Sequence, residues 1–194
     1  MFLKKLALIL TVASSLFIST AADALVINFD DLPGNQSAIQ NGYAGLNWNN
    51  FYVLNGINYG GNTGYTTGTV SGQNVAFNAW DAPATFSSNT AFDLNSIMVT
   101  KAWNAGITHF DGYVGNVLTY SMDVFSTTLG PTLATFNWTG LSSVTMSDGN
   151  GTNHTAIDNL TINQSGNVPT PATGALLLTG LGLIGFTARR RKTL

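Results

Sequence analysis

Alternation of apolar and polar residues with a period of two is the feature that most restricts the fold of this chain. Apolar residues occupy every second position from 118 to 124 and again from 134 to 138, which is typical of strands with one buried face. Strand-forming Val, Thr, Phe, Tyr and Trp recur between short groups of Gly, Asn and Asp, and helix-forming runs are rare. Many short strands at near-regular spacing predict an all-β fold, a single antiparallel β-sandwich.

The predicted strands are bounded by turn-forming residues. Gly112 with Gly115 and Asn116 indicates the turn region between two paired strands. Trp138 alternates with Phe136 and is predicted to lie in the core. The longest irregular stretch, 55–73, contains six glycines, and a loop of this length inside a domain is typically functional or mobile. The predicted strands are 25–29, 46–54, 74–79, 84–87, 96–100, 108–114, 118–124, 134–138, 143–146 and 156–162.

The N-terminus carries the three parts of a secretory signal peptide. Lys4 and Lys5 precede an apolar run, 6–18, and small residues follow it up to Ala24. The tripeptide 22–24 fits the Ala-x-Ala rule, so residues 1–24 are predicted to be removed by signal peptidase after export through the general secretion machinery. Cleavage after Ala22 and an uncleaved N-terminal anchor are the alternatives.

Removal of the two ends changes the charge of the chain. Lys101 is the one basic residue between Leu25 and Gln164, whereas that span holds eight aspartates and no glutamate. The exported body therefore carries a formal charge of −7. Binding to nucleic acid needs Lys and Arg to displace counterions, so nucleic acid is excluded as a partner. Anionic lipid surfaces are disfavoured for the same reason, which leaves neutral polymers, cations or other proteins.

The body, residues 25–164, has the size of one domain with a hydrophobic core. The chain contains no cysteine, which excludes disulfides, a thiolate nucleophile and a cysteine-ligated zinc. An exported domain of this kind has to be held by its core, with a bound ion as additional support.

The last 27 residues form a segment of three parts. A proline-bounded linker, 165–173, precedes an uncharged apolar run and a basic end, so residues 174–194 are predicted to be a transmembrane helix with its tail. As a helix, residues 175–188 would extend ~21 Å, short of a hydrocarbon core of about 30 Å. Spanning would therefore require a thinned bilayer and snorkelling arginines, and the basic block favours a cytoplasmic C-terminus. The residues of the two motifs are Val168, Pro169, Thr170 and Pro171, and Arg189, Arg190, Arg191 and Lys192.

This segment resembles the PEP-CTERM sorting signal of Gram-negative bacteria, in which a Pro-Glu-Pro motif precedes a short transmembrane helix and an arginine-rich tail. The match covers about residues 168–194, and Thr170 stands where the family usually has Glu. The resemblance implies processing by a membrane-embedded exosortase, with a transient inner-membrane intermediate. The mature protein is then expected at the cell surface or in an extracellular biofilm matrix. The alternative is an ordinary C-terminal membrane tail.

The body resembles the galactose-binding-like jelly rolls of secreted bacterial proteins. The resemblance is carried by a predicted surface strand at 101–104, a Gly-Tyr-x-Gly hairpin at 112–115, a Gly-Pro-Thr segment at 130–132, a Phe-Asn-Trp strand at 136–138 and the segments 29–32 and 157–160. It implies carbohydrate binding and, as in many of those domains, a structural calcium ion between the first and last strands. The predicted calcium ligands are Asp30, Asp31 and Asp158, because calcium is held by several hard oxygens. No other cofactor is expected.

Groups suited to catalysis are scarce in the body. General acid–base chemistry needs a group that titrates near neutral pH, and the body offers His109 and His154. His109 is predicted to be exposed or in a structural hydrogen bond, and His154 to lie in a turn. The sequence has no nucleophile-elbow, phosphate-loop or metal-helix motif. We therefore expect no enzyme; a glycan-active enzyme, the weaker alternative, would need two aspartates facing each other across a cleft.

Aromatic residues beside polar groups are the candidate ligand-binding residues. Sugars present apolar C–H faces and hydroxyl groups, so their sites combine flat aromatic rings with Asp, Asn and backbone groups. Two tryptophans flank predicted loops, and two tyrosines lie in the stretch 55–73. Packing is the alternative for each ring, and a structural matrix protein with no discrete ligand is then the function. The candidates are Trp80 with Asp81, Trp103 with Asn104, and Tyr59 with Tyr65.

Overall fold

The computed structural model describes residues 24–148 and 153–163, and these form an all-β body. The predicted signal peptide up to residue 23, the predicted sorting motif, the apolar C-terminal run and the basic tail lie outside the described residues. Within the described ranges no helix is long and apolar enough to cross a membrane. The strands are β1 (Leu25–Ile27), β2 (Asn35–Ala38), β3 (Asn47–Asn49), β4 (Phe51–Asn55), β5 (Asn74–Asn78), β6 (Ala84–Lys101), β7 (Gly106–Val114), β8 (Val117–Ser126), β9 (Thr132–Asp148) and β10 (Thr155–Ile162).

All strand pairs are antiparallel, and they form one open hydrogen-bonded sheet. The strand order is β2-β4-β5-β10-β6-β9-β7-β8, while β1 pairs with β10 and β3 pairs with β6. This confirms the predicted all-β antiparallel class. Within residues 24–148 and 153–163, four short helical segments interrupt the strands: the single-turn helices α1 (Gly56–Tyr59) and α2 (Gly64–Thr67), and the 3₁₀ turns Tyr43–Gly45 and Ala79–Asp81. The stretch predicted to be irregular thus contains both α1 and α2.

The sheet has two halves, one that contains β10 and one that contains β7. The two longest strands, β6 and β9, run through both halves. The end of β6 pairs with β10 and with the start of β9, whereas the start of β6 pairs with β3 and with the end of β9. The register between β6 and β9 shifts between residues 87 and 96. The sequence predicted two short strands in place of each long one; in β6 the gap between them includes residues 89–91, which are exposed.

The two halves of the sheet face each other across a shared core, which makes the body sandwich-like. Phe110 of β7 packs edge-on against Phe136 of β9 with 5.1 Å between ring centroids. Tyr120 of β8 stacks on Trp138 of β9 at 5.3 Å. Neither pair consists of residues opposed in the strand register, so these contacts join the halves through their faces. Such pairs contribute about 0.5–1.5 kcal/mol each beyond burial, and the prediction that Trp138 is a core residue is confirmed.

A second apolar cluster covers the opposite face of β4, β5 and β10. In β5, Ala76 points to the shared core, while its neighbours Val75 and Phe77 belong to the second cluster. Every residue of β5 is therefore buried. The second cluster is completed by Tyr65 of α2, so the segment 55–73 covers this face of the sheet.

The ends of four strands meet at a buried polar cluster. Lys101 ends β6 and forms an ion pair with Asp148 at the end of β9. The hydroxyl of Thr155 in β10 donates to Asp148 Oδ1 at 2.6 Å, and Thr108 of β7 lies 2.7 Å from Thr155, oxygen to oxygen. The prediction that Lys101 lies in a surface strand is wrong, because its side chain is 2% exposed.

Gly112 tests how firmly the two halves are packed. The sequence assigned this residue both to the predicted strand 108–114 and to the turn region with Gly115 and Asn116. It lies inside β7, the turn falls at Gly115 and Asn116, and a Cβ at Gly112 would approach Trp138 Cε3 to 2.7 Å. Trp138 cannot yield easily because it packs between Tyr120 and Phe136. We expect Gly112→Ala to lower the free energy of unfolding by about 1–3 kcal/mol, measured by urea denaturation.

Gly130→Ala is the matched control, since a Cβ at Gly130 meets no atom of the described part of the chain within 4 Å. Its effect is expected to stay within about 0.5 kcal/mol. Equal stability of the two variants would contradict the close packing of the halves.

Candidate functional site

Six aromatic side chains form a continuous row over the second apolar cluster. Neighbouring rings lie between 4.6 and 6.5 Å apart, centroid to centroid. The row is buried in its middle and exposed at its two ends, and it includes all four aromatic residues that the sequence singled out. Its members, in order along the row, are Trp80, Tyr52, Phe77, Tyr65, Trp103 and Tyr59.

Exposure separates the members of this aromatic row that can meet a ligand from those that pack. Trp80 is 79% exposed, Trp103 44% and Tyr59 36%. Tyr65 is 1% exposed, so it packs against the protein and offers no ring face to another molecule. The structure thus brings the four predicted aromatics into one row but leaves three of them accessible.

Trp80 is presented by a strained backbone. Trp80 and Asp81 have positive φ angles of 59° and 53°, and a bulky residue in this region is a genuine outlier. Such strain costs of order 1–3 kcal/mol and persists only where the surroundings enforce it. The enforcing group is Asn50, whose side-chain amide donates to three backbone carbonyls of this turn, those of Ala79, Ala82 and Pro83, at 2.8, 3.1 and 3.2 Å.

Asp81 is tied to the middle of the row through His154. His154 Nε2 lies 3.1 Å from Asp81 Oδ1, and His154 Nδ1 contacts the hydroxyl of Tyr65. Burial lowers the pKa of His154 and raises that of Tyr65. A neutral imidazole that donates from Nε2 to Asp81 and accepts at Nδ1 from Tyr65 satisfies both contacts. The sequence placed His154 in a turn and did not connect it to the site, since its partners lie far away along the chain.

Trp103 and Asn104 lie in the loop after β6, and Asn153 holds that loop. The Asn153 side-chain oxygen accepts from the backbone N–H of Trp103 at 3.1 Å, and its amide nitrogen donates to the carbonyl of Asn104. Trp103 packs perpendicular to Tyr65, with 5.4 Å between ring centroids. The side chain of Asn104 is exposed, so the predicted pair stands at the accessible end of the row.

An open groove of about 290 Å³ adjoins Tyr59. Its polar lining consists of amides, and none of its lining residues carries a charge. Asn55 is fixed there because its side chain accepts from the N–H of Asn58 and donates to Gln73, both at 2.9 Å. Neutral amides both donate and accept, which suits hydroxyl groups. The lining residues are Gly34, Asn35, Gln36, Leu54, Asn55, Asn58 and Tyr59.

Two of the three predicted calcium ligands meet at residues 70–74, the end of a loop and the first residue of β5. Asp30 Oδ1 accepts from the N–H groups of Gln73 and Asn74, at 2.7 and 3.0 Å. Asp158 Oδ2 accepts from those of Val70 and Ser71, also at 2.7 and 3.0 Å. Burial raises the pKa of Asp158, its backbone hydrogen bonds oppose this, and the charge of Asp30 adds to the rise.

The third predicted ligand, Asp31, lies apart from that loop. Its carboxylate accepts from the hydroxyl of Tyr43 at 2.7 Å. Across residues 24–148 and 153–163, no group of three or more acidic or histidine side chains is placed to hold a metal ion. The calcium site stays a prediction.

No protein-family model matches the chain, and no curated protein matches it either. The two resemblances found in the sequence therefore stay predictions.

The two histidines give opposite pH dependences that can be measured. Because the folded-state pKa of His154 is below its unfolded value, the unfolded chain binds more protons, and stability is lost as pH falls below about 6.5. We expect wild-type protein to lose more unfolding free energy than His154→Gln between about pH 7.5 and about pH 5. Urea denaturation at several pH values measures the difference.

His109→Gln is the control of opposite sign. Its side chain is hydrogen-bonded to Asp123 and Asp111, as the sequence predicted for a structural histidine, and the bond to Asp123 raises its pKa. The stability that His109 adds is present below about pH 6.5 and is lost as pH rises through the raised pKa. Identical pH profiles for wild type and His154→Gln would contradict the partly buried, neutral imidazole.

Proposed function

We propose that this is an exported cell-surface or extracellular-matrix protein, sorted by an exosortase, whose body associates with extracellular polysaccharide without catalysis. The N-terminal signal pattern and the Pro-Thr-Pro, apolar and basic segments of the C-terminus support the export and sorting part. The protein would then pass through the inner membrane as a transient intermediate and reach the cell surface or the extracellular matrix.

The exposed indole of Trp80 on its enforced, strained turn is the observation that carries the binding part. Strained backbone is found where a side chain has to be held in one position, and here it holds a large apolar ring in water. If a sugar covered roughly 100 Å² of this ring, the gain would be about 2.5 kcal/mol. Trp103 and Tyr59 add further accessible ring surface at the other end of the row.

The charge of the body favours a neutral ligand rich in hydroxyl groups. With a formal charge of −7 between Leu25 and Gln164, an anionic polymer would be repelled. The amide-lined groove next to Tyr59 offers donors and acceptors of the kind that hydroxyl groups need. A neutral polysaccharide fits both properties.

The finer fold that we propose is a galactose-binding-like jelly roll with a structural calcium ion. The antiparallel pairing of the first strand with the last supports it, since the expected ion lies between those strands. Asp30 follows β1 and Asp158 lies within β10, which places two carboxylates close to that pair.

A structural matrix protein with no discrete ligand is the second candidate. The burial of Tyr65 and Phe77 favours it, because the middle of the aromatic row is packing. The two candidate functions differ in whether the exposed rings at the ends of the aromatic row bind a ligand. Substitution of those rings distinguishes the two functions.

Removal of the Trp80 ring is expected to weaken binding to neutral glucan and galactan oligosaccharides at least about tenfold, or about 1.4 kcal/mol. The measurement is binding of wild-type protein and Trp80→Ala to an array of these oligosaccharides, with alginate as the anionic comparison. Trp103→Ala is expected to act in the same direction.

Phe125→Ala is the matched control, because Phe125 is another highly exposed aromatic residue but lies on β8. It should bind like wild type. Unchanged binding by Trp80→Ala, or stronger binding to alginate than to neutral glycans, would count against the proposal. Absence of glycan binding by the wild type would favour the matrix protein.

The sorting proposal is tested by mass spectrometry of the mature protein from host strains with and without the exosortase. We expect loss of the residues after the 169–173 region in the strain that has the exosortase, and an intact C-terminus in the strain that lacks it. An intact C-terminus in both strains would instead indicate a tail-anchored envelope protein.

A further inference from the structure

Lys101 and Asp148 form a buried pair that the proposed function does not use. Their side chains are 2% and 3% exposed. The amine of Lys101 also lies 3.1 Å from the hydroxyl of Thr155. Lys101 belongs to the half of the sheet that contains β10, and Asp148 to the half that contains β7. The contact therefore joins the two halves at a point from which water is excluded.

The two carboxylate oxygens of Asp148 have different surroundings. Oδ1 contacts the Lys101 amine and accepts from the hydroxyls of Thr155 at 2.6 Å and Thr108 at 3.2 Å. Oδ2 is buried and has no hydrogen-bond partner among the described residues. A buried oxygen without a partner is unfavourable, and this cost disappears if Oδ2 leaves the site.

A neutral amine and a neutral acid are the reactive forms of this pair. Burial lowers the pKa of the Lys101 amine, although the hydrogen bond to Asp148 opposes the shift. Two charges are costly to remove from water, and transfer of one proton from the amine to the carboxyl removes both charges at once. The amine then has a free lone pair next to Cγ of Asp148.

We propose that Lys101 and Asp148 condense to an intramolecular amide, a covalent cross-link between β6 and β9. Nζ attacks Cγ, the Nζ–Cγ bond forms, and the Cγ–Oδ2 bond breaks. Oδ2 leaves as water with the carboxyl proton and one proton from Nζ. No atom is oxidised or reduced, and no co-reactant is needed. Oδ1 becomes the amide oxygen.

The polar neighbours and the fixed geometry favour this reaction. The hydroxyls of Thr108 and Thr155 point to Oδ1, where negative charge develops during the attack, and such donors stabilise the transition state. Two groups held together react as if present at very high concentration, which offsets the unfavourable equilibrium of amide formation in water. The unpartnered Oδ2 is the atom that departs.

The cross-link would serve an exported domain that has no cysteine. It would connect two residues separated by 47 positions and bind the two halves of the sheet covalently. Constraint of the unfolded chain is the way in which a disulfide stabilises such domains. The amide does the same and is indifferent to reducing agents.

Trypsin gives a direct test, because Lys101 is the one Lys or Arg between Leu6 and Ala188. The full-length wild-type protein is expressed with export, fully denatured and digested. A linked chain resists cleavage after Lys101 and yields one large fragment that is lighter by one water, about 18 Da. We expect this single fragment. Two fragments of unaltered mass would show an ion pair and overturn the proposal.

Two controls separate the amide from other routes to the same mass. Lys101→Arg keeps the charge but offers no amine nucleophile, so it should give two fragments and no loss of water. Asp148 precedes Gly149, and a succinimide at that position would also lose one water. It would leave Lys101 cleavable, however, so water loss together with two fragments would overturn the proposal as well. The decisive sample is the wild type, so a variant that fails to fold leaves the test intact.

Discussion

The pairing of β6 with β9 is the interaction on which the rest of the structure depends. These two strands are long enough to belong to both halves of the sheet, and they pair with each other in each half. The remaining strands attach to one half or the other, and the shared core lies between. At the strand ends the buried cluster of Lys101, Asp148, Thr108 and Thr155 joins the halves a second time. The body is thus closed by strand continuity and by a polar contact.

The same cluster also fixes the two loops of the candidate site. Trp103 follows Lys101 by two residues, and His154 directly precedes Thr155. The backbone N–H of Ala102 donates to the carbonyl of His154 at 2.9 Å, so the two loops are held against each other. His154 in turn contacts Asp81, and this contact connects the two loops to the strained turn of Trp80. The exposed rings therefore lie on segments that contacts with the core hold in place. A binding surface that is formed before its ligand arrives requires this.

Period-two alternation predicted most of the sheet because it reports burial of one face, a local property. It identified the strand around Tyr120 and the core position of Trp138, although Leu118 at the end of that strand proves to be exposed. The pattern failed where contacts between distant parts of the chain determine the structure. The exposed residues 89–91 interrupt the pattern of β6 without ending the strand. A single lysine in a neutral stretch also gives no local sign that its partner lies in β9.

The sequence named aromatic residues of the candidate site but not the contacts that connect them. Composition singled out four aromatic residues that the structure brings into one row, since a tryptophan beside Asp or Asn in a loop is uncommon in a core. It could not distinguish Tyr65, which packs, from Tyr59, which is accessible. Nor could it find His154, because the link from Asp81 to Tyr65 exists only after β5 and β10 have paired. The carboxylates of Asp30 and Asp158 do lie at one loop, where their oxygens accept hydrogen bonds from backbone N–H groups.

The position of β10 decides how the body would respond to a pull on its C-terminal side. β10 is the last described strand before the linker, and it is hydrogen-bonded to β6 on one side and to β5 and β1 on the other. In antiparallel pairs these bonds lie perpendicular to the strands. A force applied along β10 therefore loads its bonds to three neighbouring strands together in shear, instead of opening them one after another. A protein tethered by that end would carry mechanical load through the centre of its sheet.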